Sequence, residues 1–170
     1  MNGYVLDFVI PQGPTGPTGA TGEVGATGLT GSLVSAYGGR YSTTSSSLTL
    51  GIASQTQIPL SLTMPNLNTT YTNNSITISQ TGVYEINYYI NLSATLATTV
   101  TTAVRNNGTN IASTVISRAI SSGVSSIYSG SIITNLSTGS VIDMAVSALV
   151  SVGLSLPSGT NATLSVKRIS

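Results

Sequence analysis

The chain has 170 residues, and only 5% of them are charged, with a formal net charge of +1, against roughly 25% charged in an average soluble protein. Its cations, Arg40, Arg105, Arg118, Lys167 and Arg168, are scattered, so neither a nucleic-acid backbone nor an anionic membrane finds a footprint. Histidine and cysteine are absent, which excludes imidazole bases, catalytic triads, thiolate metal sites and disulfide staples.

The first eleven residues, MNGYVLDFVIP, are apolar but lack a positive leading region, and Asp7 and Pro11 cut the run well short of a membrane span. Tyr4, Val5, Leu6, Phe8, Val9 and Ile10 are strand formers with apolar side chains on both faces. A lone strand of this kind must be buried by something else. Residues 1–12 therefore read as a docking or anchor peptide, the plain alternative being a disordered leader.

From residue 13 the pattern changes. Gly13, Gly16, Gly19, Gly22, Gly25, Gly28 and Gly31 keep a period of three without a slip. Only a triple helix of polyproline-II strands demands this, because every third residue meets the shared axis, where no side chain fits. Pro14 and Pro17 preset φ, and Thr15, Thr18, Thr21, Thr27 and Thr30 take the third place of the triplet, giving a Gly-X-Thr register. A flexible linker could share the composition, but it has no reason to hold phase. Residues 13–32 are thus a collagen-like stalk, which needs three chains, so the protein is expected to be a homotrimer.

Residues 33–170 read as one all-β domain. Ser, Thr, Val and Ile dominate, helical periodicity is missing, and turn residues recur about every ten positions, the pattern of a β-sandwich. In GVYEINYYINLSA, Tyr84, Ile86, Tyr88, Ile90 and Leu92 alternate with Glu85, Asn87 and Asn91, which fixes the buried face. Asn107-Gly108 marks a hairpin, since both turn positions tolerate positive φ. NLSTGS, 135–140, is a second turn, joining IYSGSIIT to VIDMAVSALV, and ATLSVKRIS is the closing strand. The run from Val141 to Leu156 is apolar on both faces with Asp143 its only charge, and it reads as a strand whose second face another subunit covers.

Little catalytic chemistry is on offer. The four carboxylates, Asp7, Glu23, Glu85 and Asp143, lie too far apart to suggest a paired acid and base. No motif surrounds Lys167 or any serine, and the periodic glycines do not form a phosphate loop. The protein is read as a non-enzyme without cofactor, metal or nucleic-acid partner. Asp143 or Glu85, repeated three times, could supply a weak calcium site, but a hydrogen-bonded or solvated acid is the simpler reading. Six Asn-X-Ser/Thr matches, at Asn68, Asn73, Asn91, Asn107, Asn135 and Asn161, are expected by chance in a chain this rich in Asn, Ser and Thr.

The Gly-X-Thr repeat, the TGVYEI strand opening at Thr81 to Ile86, NNGT, and the final GLSLPSGTNATLSVKRIS together resemble the Bacillus collagen-like exosporium glycoproteins of the BclA type. The resemblance covers residues 12–170. It implies a ten-strand, homotrimeric jelly-roll head of the tumour-necrosis-factor and complement-head kind, carried on the outer surface of a bacterial spore. It also implies O-glycosylation at Thr15, Thr18, Thr21, Thr27 and Thr30. The collagen-like region is shorter than is usual for that family, and MNGYVLDFVIPQG differs from its longer leader. The expected function is a structural trimer that builds or decorates an exosporium fibre, its N-terminal peptide docking onto a neighbouring trimer or another surface protein. The alternative is a phage or cell-surface fibre tip that binds a carbohydrate, for which Tyr37, Tyr41 and Tyr71 are the aromatic candidates.

Overall fold

The computed structural model describes residues 1–23 and 34–170, which belong to two compact units, Met1–Ser32 and Leu33–Ser170. In the first unit, residues 1–23 form no helix or strand, and every one of them is exposed. The strand expected over residues 4–10 is therefore not formed. A strand gains its hydrogen bonds from a neighbour, and this single chain brings none to it.

The second unit is all-β, and its described residues contain no α-helix. Fourteen strands follow in chain order: β1 (Tyr37–Ser42), β2 (Ser46–Leu50), β3 (Thr56–Gln57), β4 (Leu62–Thr63), β5 (Thr69–Thr72), β6 (Ser75–Ile78), β7 (Gly82–Ala94), β8 (Thr98–Asn106), β9 (Thr109–Asn110), β10 (Ile116–Ile120), β11 (Ser126–Leu136), β12 (Val141–Ala148), β13 (Val152–Leu156) and β14 (Ala162–Arg168). Three of them, β3, β4 and β9, are two-residue pairings, which accounts for most of the excess over the ten expected.

Two antiparallel sheets make a jelly-roll sandwich. One runs β2-β13-β7-β14-β1-β4, with β11 along the other edge of β7; the second runs β10-β8-β12-β6-β5, with β3 beside β12 and β9 beside β8. The period-two reading of β7 holds: Tyr84, Ile86, Tyr88, Ile90 and Leu92 are all buried, facing Val100 and Val104 of β8 and Ile142, Met144 and Val146 of β12 in one core. Tyr88 needs room that only glycine leaves. It lies opposite Gly130 of β11, where a Cβ would come within 2.5 Å of the phenolic oxygen.

The turns are where the sequence puts them. Asn107 (φ 51°) and Gly108 (φ 79°) both occupy the left-handed region between β8 and β9, as a two-residue hairpin requires. Asn107 Oδ1 also accepts a hydrogen bond from the Val141 amide, tying this hairpin to the start of β12. The run from 141 to 156 is corrected by the structure. It is two strands, β12 in one sheet and β13 in the other, broken at Leu149–Ser151. The second face of β12 is already covered within the chain, with Asp143 and Ala145 buried, whereas Leu149 and Val150 beyond it are exposed.

Candidate functional site

The broad surface of the head is the outer face of the sheet that contains β7. Strand alternation turns Glu85, Asn87, Tyr89 and Asn91 of β7 away from the core, and the pairing register aligns their neighbours in rows. One row reads Ile133, Glu85, Lys167, Tyr37; the next Ser131, Asn87, Ser165, Gly39; the next Ser129, Tyr89, Thr163, Tyr41. Ile127 and Ile133 of β11 are exposed there, although they sit on a strand whose other side is core. Glu85 and Lys167 are the charges in these rows, and they lie beside each other in register. A partly apolar four-strand face of this kind, whose two charges sit beside each other and cancel, suits contact with another protein surface rather than with water.

A cavity of about 390 Å³ opens on the same face, lined by Tyr37, Gly39, Met64, Glu85, Asn87 and Lys167 among others. Its polar side chains are those of Glu85, Asn87, Ser165, Lys167 and Tyr37. Ser131 Oγ donates to Glu85 Oε1 at a long 3.4 Å.

Elsewhere the chemistry is structural. Arg105 grips Asp143 in a two-pronged ion pair, Nε to Oδ1 and Nη2 to Oδ2, each at 2.7 Å, and Gln57 Nε2 donates to the same Oδ2 at 2.8 Å. The hydrogen bonds to Asp143 hold the Arg105 guanidinium pKa above its ordinary value, outweighing the opposite effect of burial. Asp143 is thus engaged within the chain by Arg105 and Gln57. Among the described residues no three acidic side chains gather to hold a metal. Tyr37 and Tyr41 lie on β1 and Tyr71 on β5, where the Tyr71 hydroxyl accepts from the Gly39 amide and donates to the Met64 carbonyl. None of the three stands on an exposed loop. Of the Asn-X-Ser/Thr matches, Asn161 is buried and donates to the Thr44 and Pro157 carbonyls. Asn68, Asn73 and Asn107 occupy positive φ.

Of the residues assigned to docking, Tyr4, Val5, Leu6, Phe8, Val9 and Ile10 are all exposed in the isolated chain. Gly13, Gly16, Gly19 and Gly22 have open space where a Cβ would sit, and Thr15, Thr18 and Thr21 are exposed. Gly25, Gly28, Gly31, Thr27 and Thr30 lie outside the described residues. The sheet face itself escaped the sequence reading, although a signal for it was present. In SIYSGSIIT, Ile127 and Ile133 keep phase with Ser129 and Ser131, while Tyr128 points the other way.

Residues 39–170 match the family described as the BclA C-terminal domain. The chain belongs to that family. No curated protein matches the sequence. Among solved structures, the BclA-type head is similar to murine APRIL at 14% identity, with 80% of this chain and 100% of that chain covered and a TM-score of 0.54. It is also similar to the Eiger tumour necrosis factor of S. frugiperda, at 12% identity, 81% and 92% coverage and the same TM-score. At such identities the likeness bears on fold, and it agrees with the sandwich traced above.

Proposed function

We propose that the protein is a non-catalytic, homotrimeric surface protein of the bacterial spore, whose BclA-type head packs through the outer face of the β7 sheet. The observation that carries this reading is the family match over residues 39–170. The rows around the Glu85–Lys167 pair, which carry no net charge, offer a surface for threefold packing, and the Gly-X-Thr repeat independently calls for three chains. In this reading the stalk residues 13–32 wind as a collagen-like triple helix, with Thr15, Thr18, Thr21, Thr27 and Thr30 facing outward as candidates for O-glycosylation. Residues 1–12 dock the trimer onto a neighbouring trimer or another exosporium protein, so that the protein builds or decorates a surface fibre.

Ile133 tests the packing face, because its side chain is exposed in the single chain and its loss should not disturb the core. Light scattering is expected to give three chains for the wild type and one for Ile133→Asp, with an unchanged far-ultraviolet spectrum. A trimeric Ile133→Asp would remove the β7 sheet face from the interface, and a monomeric wild type would end the trimer reading altogether.

A further inference from the structure

The most deeply buried cation of the head stands without a carboxylate. Arg40 of β1 is only 9% exposed. Arg105, which is less buried, has Asp143, and theirs is the single ion pair among the described residues. Lys167 and Arg118 are exposed to water, and Arg168 is half-buried. No acid is placed to answer Arg40. Asp143 is taken, Asp7 and Glu23 belong to the other compact unit, and Glu85 lies on the outer face of the β7 sheet. Strand alternation sends Tyr37, Gly39 and Tyr41 to that outer face and turns Arg40 the other way, between the sheets. A buried charge is ordinarily paired, because burial removes the water that would otherwise solvate it.

The guanidinium is nevertheless fixed in place. Its Nε donates to the Leu60 carbonyl at 2.8 Å, and Cζ stands 5.6 Å from the centre of the Tyr71 ring. The Leu60 amide in turn donates to Asn74 Oδ1 at 3.0 Å. Asn74 is held there by the β5–β6 turn, where Asn73 (φ 43°) and Asn74 (φ 60°) both take the left-handed region. The amide and carbonyl of one residue lie within about 4 Å of each other. Arg40 and Asn74 are therefore both anchored on Leu60, just before β4, where β4 and β5 end their two sheets. Donors are left over. Among the described residues, Nη1 and Nη2 of Arg40 and Nδ2 of Asn74 have no hydrogen-bond partner, and none of the three is sealed from solvent.

We infer that Arg40 and Asn74 form a binding site for a carboxylate. The two Nη groups of a guanidinium offer parallel N–H bonds that match two carboxylate oxygens, and the Nε bond to Leu60 fixes the fork before a ligand arrives. The charge count sets the class of anion. One unanswered positive charge, with no second cation facing it, neutralises a monoanion and leaves a phosphate dianion half unpaired. Buried Leu60 and the Tyr71 ring exclude water from one side and strengthen the attraction. A sugar acid and the C-terminus of a peptide present the same group, and either could bring it.

The full chain has four arginines, so labelling arginine with nitrogen-15 gives four Nε–H signals. Acetate is titrated against chloride at constant ionic strength. One signal, the one missing from Arg40→Lys, is expected to shift saturably while the other three do not. Arg40→Lys keeps the charge but loses the fork, and should weaken acetate binding about tenfold, read by calorimetry, with light-scattering mass and far-ultraviolet spectrum unchanged. If that variant fails to fold, Asn74→Gly keeps the left-handed turn, removes one donor and should weaken binding about threefold. Glucuronate and N-acetylglycine are expected to shift the same signal, and the tighter of the two names the source. No saturable shift, a shift shared by all four signals or confined to another arginine, unchanged affinity in the folded variants, or phosphate bound more tightly than acetate would overturn the inference. Trimer formation is read from the mass of the same samples and does not enter the result.

Discussion

At the scale of single residues, the largest electrostatic commitment in the head is the Asp143 ion pair with Arg105. Both side chains are mostly buried, so removing one partner leaves the other without solvent to replace it. Asp143→Asn is expected to destabilise the head by about 2–4 kcal/mol in urea unfolding. Replacing both partners, Arg105→Met with Asp143→Leu, should cost less than the single change, because no charge is stranded. A double variant weaker than Asp143→Asn would show that the pair stabilises the head by more than its mutual neutralisation. Three tyrosines make a second prediction. Burial raises the pKa values of Tyr84, Tyr88 and Tyr128 above 10.0, with Arg168 partly opposing it at Tyr84 and Arg118 at Tyr128. In the unfolded chain these phenols ionise at about 10, and in the folded head only later. Their contribution is then complete below pH 10 and lost as the pH rises through and beyond that value. The melting temperature should stay level up to about pH 9.5 and fall above it, and Tyr128→Phe should make the fall shallower.

At the scale of elements, what could be read in advance was whatever depends on local pattern. The buried face of β7, the Asn107-Gly108 hairpin, the turn at 135–140 and the final strand β14 follow from alternation and turn chemistry carried by adjacent residues. The misreading of residues 141–156 has a clear cause. β12 and β13 are both apolar, and the turn between them, Leu149-Val150-Ser151, carries neither glycine nor proline, so nothing in the local composition marks the crossing from one sheet to the other. Likewise, Asp143 and Arg105 are 38 positions apart, and only the β8–β12 register brings them together. The proposed stalk rests on a purely periodic signal, and it is tested by breaking the period. Gly22→Ala would put three methyl groups on the axis of a triple helix. Limited proteolysis between residues 13 and 31 should speed up several-fold while the head remains intact. Equal cleavage of variant and wild type would leave residues 13–32 a linker.

At the scale of the whole molecule, the proposed assembly uses two surfaces of different character: the β7 sheet face would join chains, and the apolar segment from Tyr4 to Ile10, exposed in the single chain, would provide attachment. If that segment extends as a strand on docking, Tyr4, Leu6, Phe8 and Ile10 fall on one face and Asp7 on the other, so an acceptor groove can bury four large side chains without burying the carboxylate. Wound as the proposed triple helix, at about 3 Å per residue, residues 13–32 would span only some 60 Å, which suits a connector better than a long spacer. Deleting residues 1–11 is therefore expected to leave the mass at three chains, since the proposed packing face lies on the head, but to abolish attachment. Negative-stain microscopy of the purified protein separates the two acceptors. Wild-type filaments that vanish on deletion place the groove on a neighbouring trimer; single wild-type particles that adhere to spore surfaces only with residues 1–11 present place it on another protein. Truncated protein that forms the same filaments and adheres as well as the full chain would remove residues 1–11 from attachment.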